Sequence, residues 1–72
     1  MPPNPIDRAQ RLMAQLGWCF GDYCYSRNQE PTWQVCCYRG EERIIVRAFM
    51  QLEAWDEALW QAGSYREARM VP

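Results

Sequence analysis

Two strand-like runs on either side of Gly40-Glu41 constrain the fold of this chain more than any other feature. Residues 32–38 and 43–49 are rich in aromatic and β-branched residues, and a glycine-first pair between them suits a tight hairpin turn. The turn sets the register, and one face then carries only apolar pairs. These pairs are Cys37 with Ile44, Val35 with Val46, and Trp33 with Ala48. We predict that this face lies in the core.

The second face of the same hairpin is mixed in character. Its pairs are Tyr38 with Arg43, Cys36 with Ile45, and Gln34 with Arg47. A sheet face in water normally carries polar residues, whereas this one places apolar side chains between arginines. Two interpretations stay open. Either the face binds a partner, since Tyr and Arg are enriched at interfaces, or the arginine stems lie over the apolar side chains.

Amphipathic helices are predicted before and after the strands along the chain. Asn4, followed by a proline, has the pattern of a helix cap, and the periodicity predicts a helix over 5–16 that ends at Gly17. A second helix is predicted over 50–62, with Gly63 as its end. Its apolar stripe consists of Leu52, Trp55, Ala58, Leu59 and Ala62.

Another strand is predicted over 18–26, joined to the next by a five-residue loop over 27–31. An even register in this hairpin would place Tyr23 and Tyr25 on the core side and Cys24 outward. The core assignment of the two tyrosines depends on that loop length.

The element order α-β-β-β-α within 72 residues predicts a single α+β domain. We expect a three-stranded antiparallel meander with both helices on one face, which makes a two-layer sandwich. Residues 64–72 are predicted to form a frayed tail. A chain of 8.6 kDa is too short to cover both faces of the sheet.

The same order resembles that of double-stranded-RNA-binding domains. That family needs basic residues at the start of its second helix to contact phosphates. Here Glu53, Asp56 and Glu57 make this segment acidic. The resemblance therefore implies the topology without the RNA-binding activity.

Fold-supporting residues between positions 7 and 62 also resemble small bacterial and phage αβββα proteins of the phage ABA sandwich kind. The similar segments are Ala9…Leu12…Leu16-Gly17, Trp33-Gln34-Val35, Arg47-Ala48-Phe49 and Ala54-Trp55…Ala58-Leu59…Ala62. The chain departs from that family at the start of the second helix, where Phe49 or Met50 replaces the usual small polar residue. The resemblance implies a fold and a source, and no known chemistry.

Composition excludes several classes of function. The chain has no histidine, all eight basic residues are arginine, and no glycine-rich phosphate loop is present. We therefore predict no catalysis, no cofactor and no small-molecule substrate. A net charge of −1 disfavours nucleic acid as a partner. The N-terminus has no signal pattern and no apolar run is long enough to cross a membrane, so we expect a cytoplasmic protein without membrane contact.

The four cysteines do not have the spacing of a zinc site, and we predict no metal. Cys36 and Cys37 are adjacent on a strand and point to opposite faces. Cys24 and Cys36 could share the outer face, where a disulfide or a metal-bridged dimer is an alternative to small apolar side chains. Nearby arginines could also lower the pKa of Cys36 or Cys37 and activate a nucleophile.

Trp60 is predicted on the side of the second helix opposite its apolar stripe, among the acidic residues. An exposed tryptophan there is typical of a binding anchor. The alternative is that the tail, through Tyr65 or Met70, folds back and covers it. The acidic residues are interpreted as a solvated helix face.

Together these features predict a non-enzymatic binding module. We expect it to self-associate as a homodimer or to dock on another protein. The candidate partner-binding residues are Cys36, Tyr38, Arg43, Ile45, Arg47 and Trp60. The alternative function is a nucleic-acid-associated protein in which the Arg/Tyr face stacks on bases. Both depend on strand parity, with Ile45 outward and Val46 inward.

Overall fold

The first helix spans Pro5–Gln15 (α1), close to the predicted range. The computed structural model describes the backbone of residues 4–70 and the side chains of residues 4–63. The Asn4 side-chain oxygen accepts a hydrogen bond from the Ile6 N–H at 2.8 Å. This bond satisfies one of the donors that a helix start leaves free, so the predicted cap is confirmed.

The end of α1 is closed by a left-handed glycine, also as predicted. Gly17 has a φ of +86°, and the Trp18 N–H donates to the Met13 carbonyl at 3.0 Å. Arg39 reaches across from the sheet and donates to the Leu16 carbonyl at 2.9 Å. Its guanidinium also lies 4.5 Å from the centre of the Trp18 ring. The helix end is thereby attached to the sheet.

The three strands span Cys19–Arg27 (β1), Glu30–Arg39 (β2) and Glu42–Ala48 (β3). They form an antiparallel sheet in the order β1-β2-β3. Every predicted pair between β2 and β3 is confirmed, including Val35 with Val46. The α+β fold class predicted from the element order is therefore confirmed.

The β1–β2 hairpin is tighter than the predicted loop over 27–31. Asn28 and Gln29 alone form the turn, with φ values of +52° and +66°. Pro31 lies inside β2 opposite Ser26. Hydrogen-bonded and non-hydrogen-bonded pairs alternate from the turn, so the Pro31 nitrogen faces away from β1. It also lies beyond the end of β3, and Pro31 therefore costs no hydrogen bond between strands.

This shorter turn reverses the predicted orientation of β1. Tyr23 is opposite Gln34 and Tyr25 is opposite Thr32, so both tyrosines lie on the face that the helices leave uncovered. Cys24 is opposite Trp33 and lies on the helix side. The predicted core position of the two tyrosines and the outward position of Cys24 are both wrong.

The second helix spans Gln51–Met70 (α2) and continues past its predicted end at Gly63. Gly63 is not among the residues with positive φ. A glycine inside a helix costs only about 1 kcal/mol, and the residues after it are mostly good helix formers. The predicted frayed tail over 64–72 is thus helical in its backbone up to residue 70. The side chains proposed to cover Trp60 lie outside the described residues.

Both helices pack on one face of the sheet, as predicted. Helix α2 lies against β2 and β3, and α1 lies against β1 and α2. The buried core consists of Ala9, Met13, Trp18, Val35, Cys37, Ile44, Val46, Ala54, Trp55, Ala58 and Ala62. Helix α2 is rotated slightly from the predicted stripe, because Ala54 is buried and Leu52 is partly exposed. In the described chain, neither helix is long and apolar enough to cross a membrane.

Candidate partner-binding surface

Strand parity decides whether a candidate surface exists, and the predicted parity is confirmed. Val46 is 6% exposed and packs in the core, whereas Ile45 is 44% exposed on the opposite side of β3. We call this uncovered side the open face. Its residues are Cys19, Gly21, Tyr23, Tyr25 and Arg27 from β1; Glu30, Thr32, Gln34, Cys36 and Tyr38 from β2; and Arg43, Ile45 and Arg47 from β3.

Strand β1 adds two aromatic residues to the open face that the sequence reasoning placed in the core. Tyr23 is 50% exposed, and its ring centre lies 5.7 Å from that of Tyr25. The available signal was Asn28, a residue type that tolerates the left-handed conformation of a two-residue turn. Because Gln29 stands where such turns usually have glycine, that signal was weak.

Both arginines predicted on this face contact neighbouring side chains. The Arg43 guanidinium lies 5.5 Å from the centre of the Tyr38 ring. The Arg47 Nε donates to the Gln34 Oε1 at 2.9 Å. Gln34 is buried, although it lies on the face without helices. The arginines thus cover part of the sheet, as one of the two interpretations expects, and they still leave Ile45 accessible.

The open face carries an excess of positive charge. Arg27, Arg43 and Arg47 lie on the open face with Glu30 as its acidic residue. The acidic residues Asp56 and Glu57 are exposed on α2, on the other side of the sheet. The net charge of −1 therefore conceals a positive open face.

Cys24 and Cys36 do not share a face, as the alternative of a disulfide or a metal-bridged dimer requires. Cys24 lies on the helix side and Cys36 on the open face, so they cannot pair within one chain. All four thiols are free. Among the described residues, no group of three or more His, Cys, Asp or Glu side chains could hold a metal ion.

Cys37 is not an activated nucleophile. Burial in the core, together with the neighbouring Cys36, raises the pKa of the Cys37 thiol from 9.0 to about 11. The alternative in which nearby arginines lower the pKa of this thiol does not apply to Cys37. The side chain remains a protonated, small apolar group at neutral pH.

Trp60 is 68% exposed, and its position opposite the buried stripe of α2 is confirmed. Ala58 and Ala62 are fully buried on the other side of the same helix, which packs against β2, β3 and α1. Trp60 therefore lies on the side of the molecule opposite the open face. It cannot contribute to one continuous interface with Ile45, contrary to the predicted grouping.

An acidic residue on the helix side of β1 holds this strand in place, and sequence reasoning missed it. The Asp22 Oδ2 accepts a hydrogen bond from the Trp55 Nε1 at 3.0 Å and another from the Gln51 Nε2 at 2.8 Å. The Trp55 ring also packs edge-on against Phe20, with 5.5 Å between the ring centres. These contacts orient β1 so that Tyr23 and Tyr25 face outward.

No family model, curated protein or solved structure matches this chain. The structure alone shows the α-β-β-β-α order and the three-stranded antiparallel sheet. The resemblance to phage ABA sandwich proteins stays a prediction beyond that shared element order.

Proposed function

We propose that this protein is a non-enzymatic binding module whose open face docks on a protein surface. The observation that carries the proposal is the exposure of Ile45 on β3 and of Tyr38 on β2, at 44% and 45%, on the same uncovered face of the sheet. Aromatic and arginine residues around an aliphatic centre are typical of the energetically dominant part of protein interfaces.

The arrangement of the open face supports binding with little reorganisation. Arg43 is held against Tyr38, and Arg47 is held by Gln34. Side chains on a sheet that already share contacts lose less conformational freedom when a partner binds. Protein docking here needs neither a deep pocket nor a cofactor.

Site-specific photo-crosslinking tests the proposal. A photoreactive phenylalanine analogue replaces Tyr38 on the open face or, in a parallel protein, Trp60 on α2. Each protein is irradiated in an extract of cells that produce it, and the products are identified by mass spectrometry. We expect a defined protein adduct from position 38 that is absent from position 60.

Substitutions at two similarly exposed aliphatic residues supply the control. Ile45→Lys should abolish the adduct at position 38, whereas Leu12→Lys, at 40% exposure on α1, should leave it unchanged. Circular dichroism checks that both variants fold. An adduct that persists in Ile45→Lys, or that is lost equally in both variants, contradicts docking through the open face.

The positive charge of the open face favours a second candidate function, the binding of single-stranded nucleic acid. Three arginines and the exposed tyrosines share the open face, and both residue types stack on bases. Fluorescence anisotropy with labelled single- and double-stranded oligonucleotides at low salt tests this candidate. Binding that weakens with added salt and in Arg43→Gln would support it. An anisotropy that does not change as protein is added would reject this candidate.

A further inference from the structure

Strand β1 has an exposed outer edge. The sheet order leaves β1 and β3 as edge strands, and within β1 only Asp22 and Tyr25 are even half-buried. The strand is nine residues long and contains no proline; of its two charged residues, Arg27 is at the very end and Asp22 is bonded to α2. Long edges of this kind are templates for pairing with another strand.

The turn geometry determines which backbone groups of β1 point outward. Arg27 and Glu30 close a two-residue turn and therefore form a hydrogen-bonded pair. Hydrogen bonding alternates along an antiparallel pair, so the odd-numbered residues of β1 bond to β2. The N–H and C=O groups that remain for an outside strand belong to Phe20, Asp22, Cys24 and Ser26.

We propose that β1 pairs antiparallel with β1 of a second copy of this chain, about a two-fold axis at Tyr23. The result is a six-stranded sheet in which the two open faces are continuous. In this register Tyr23 faces Tyr23 of the partner subunit, and Gly21 faces Tyr25 of the partner subunit. The outward-directed backbone groups of Asp22 then meet those of Cys24 of the partner subunit.

The side chains on both faces fit this register. A Cβ placed on Gly21 would meet nothing within 4 Å, so the space above this glycine is open. An aromatic ring on the neighbouring strand fills such a space in sheets. A shift of the axis to Asp22 would place two carboxylates opposite each other, and a shift to Cys24 would place Gly21 opposite an arginine. Pairing about Tyr23 avoids both.

Charge disfavours the same kind of pairing at β3. Because Arg39 and Glu42 close the second turn, the outward-directed residues of β3 are Arg43, Ile45 and Arg47. Antiparallel pairing about Ile45 would place Arg43 opposite Arg47 of the partner subunit, twice. Like charges directly opposite each other are destabilising. A second copy therefore fits β1 and not β3.

The helices leave room for this dimer. Gln10 and Ala14 of α1 lie near Phe20, at the beginning of β1. On the same side, Cys24 and Ser26 are exposed near the other end of the strand. The two-fold axis brings the covered end of one β1 next to the uncovered end of the other. The two copies of α1 thus lie at opposite corners.

Disulfide trapping tests the register. Tyr23→Cys and Ile45→Cys are introduced into a background in which Cys19, Cys24 and Cys36 are serine; both sites are edge positions of similar exposure. A non-hydrogen-bonded antiparallel pair has Cα atoms about 4.5 Å apart, which suits a disulfide. We expect mild oxidation to crosslink Tyr23→Cys at least about tenfold faster than Ile45→Cys. Equal rates, faster crosslinking at position 45, or no crosslinking would overturn the proposal.

Sedimentation equilibrium tests the edge itself without a new thiol. Cys24→Pro removes an outward N–H and leaves the ladder to β2 intact, and Arg43→Pro is the matched change on β3. The wild type and Arg43→Pro should reach twice the mass of the 8.6 kDa chain at high concentration, whereas Cys24→Pro should stay monomeric. A monomeric wild type, or a dimeric and folded Cys24→Pro, overturns the dimer.

The two proposals fail separately. The edge dimer does not depend on a partner for the open face. A monomeric wild type that still gives the Ile45-dependent adduct at position 38 would refute the edge dimer and leave the proposed function standing. A dimer without such an adduct would support the edge dimer and refute the proposed function.

Discussion

Replacing Asp22 by alanine tests how β1 is held against α2. The Trp55 indole is fully buried, and its N–H donates to the Asp22 carboxylate at 3.0 Å. A hydrogen bond to a charged group contributes about 1.5–3 kcal/mol, and a buried donor left without an acceptor costs about 1–3 kcal/mol. The hydrogen bond from Gln51 is half-exposed and contributes less to stability. We therefore expect Asp22→Ala to lower the free energy of unfolding by about 2–3 kcal/mol.

This loss is large for so small a chain. A 72-residue protein has a total stability of roughly 4–10 kcal/mol. The expected decrease in Tm is roughly 10–20 °C. Urea unfolding followed by far-UV circular dichroism measures the change without relying on fluorescence from four tryptophans.

Two variants separate the hydrogen bond from other effects of the substitution. Asp22→Asn keeps a side-chain oxygen and should cost less than Asp22→Ala. In a Trp55→Phe background, which has no N–H to satisfy, Asp22→Ala should cost at least about 1 kcal/mol less than in the wild type. An equal cost in both backgrounds would refute the assignment of this bond as the contact that holds β1.

The buried thiol and the first turn supply two further predictions. Between pH 9.0 and about 11, the unfolded chain loses the Cys37 proton while the folded chain retains it, so the free energy of unfolding should fall as pH rises through this window. Urea midpoints at pH 8 and 10.5 should differ less for Cys37→Ala than for the wild type. An equal change in midpoint in both proteins would contradict the raised pKa. Gln29→Gly should raise stability by about 0.5–1 kcal/mol, because Gln29 has a φ of +66°. Thermal unfolding checks this, and a lower Tm would count against a strained turn.

Local chemistry was enough to predict α1 and the β2–β3 hairpin. Asn4 and Gly17 act within one turn of the helix ends they close, and Gly40 sets its hairpin register with a two-residue turn. The alternation along β3 then places Ile45 and Val46 on opposite faces whatever the rest of the chain does. These interactions join residues that are close in sequence, so the local sequence pattern is sufficient to predict them.

The orientation of β1 depended on a turn that the sequence marks weakly and on a contact between distant residues. Its tyrosines and cysteines alternate in a way that fits either face, and the Asn28-Gln29 turn lacks the glycine that would mark it. The two-residue turn sets the alternation, and the Asp22 carboxylate then meets the Trp55 indole, 33 residues later in the chain, on the helix side of the sheet. The Trp55 indole gives the half-buried Asp22 carboxylate a hydrogen-bond partner on the helix side of the sheet.

Helical periodicity was likewise sufficient to place Trp60 away from the core, and the packing of α2 decided which surface it joins. The alternating pattern of the strands determined that one sheet face would be half-apolar. The position of both helices on the other face decided that it remains uncovered, because only tertiary packing brings elements from opposite ends of the chain onto the same side.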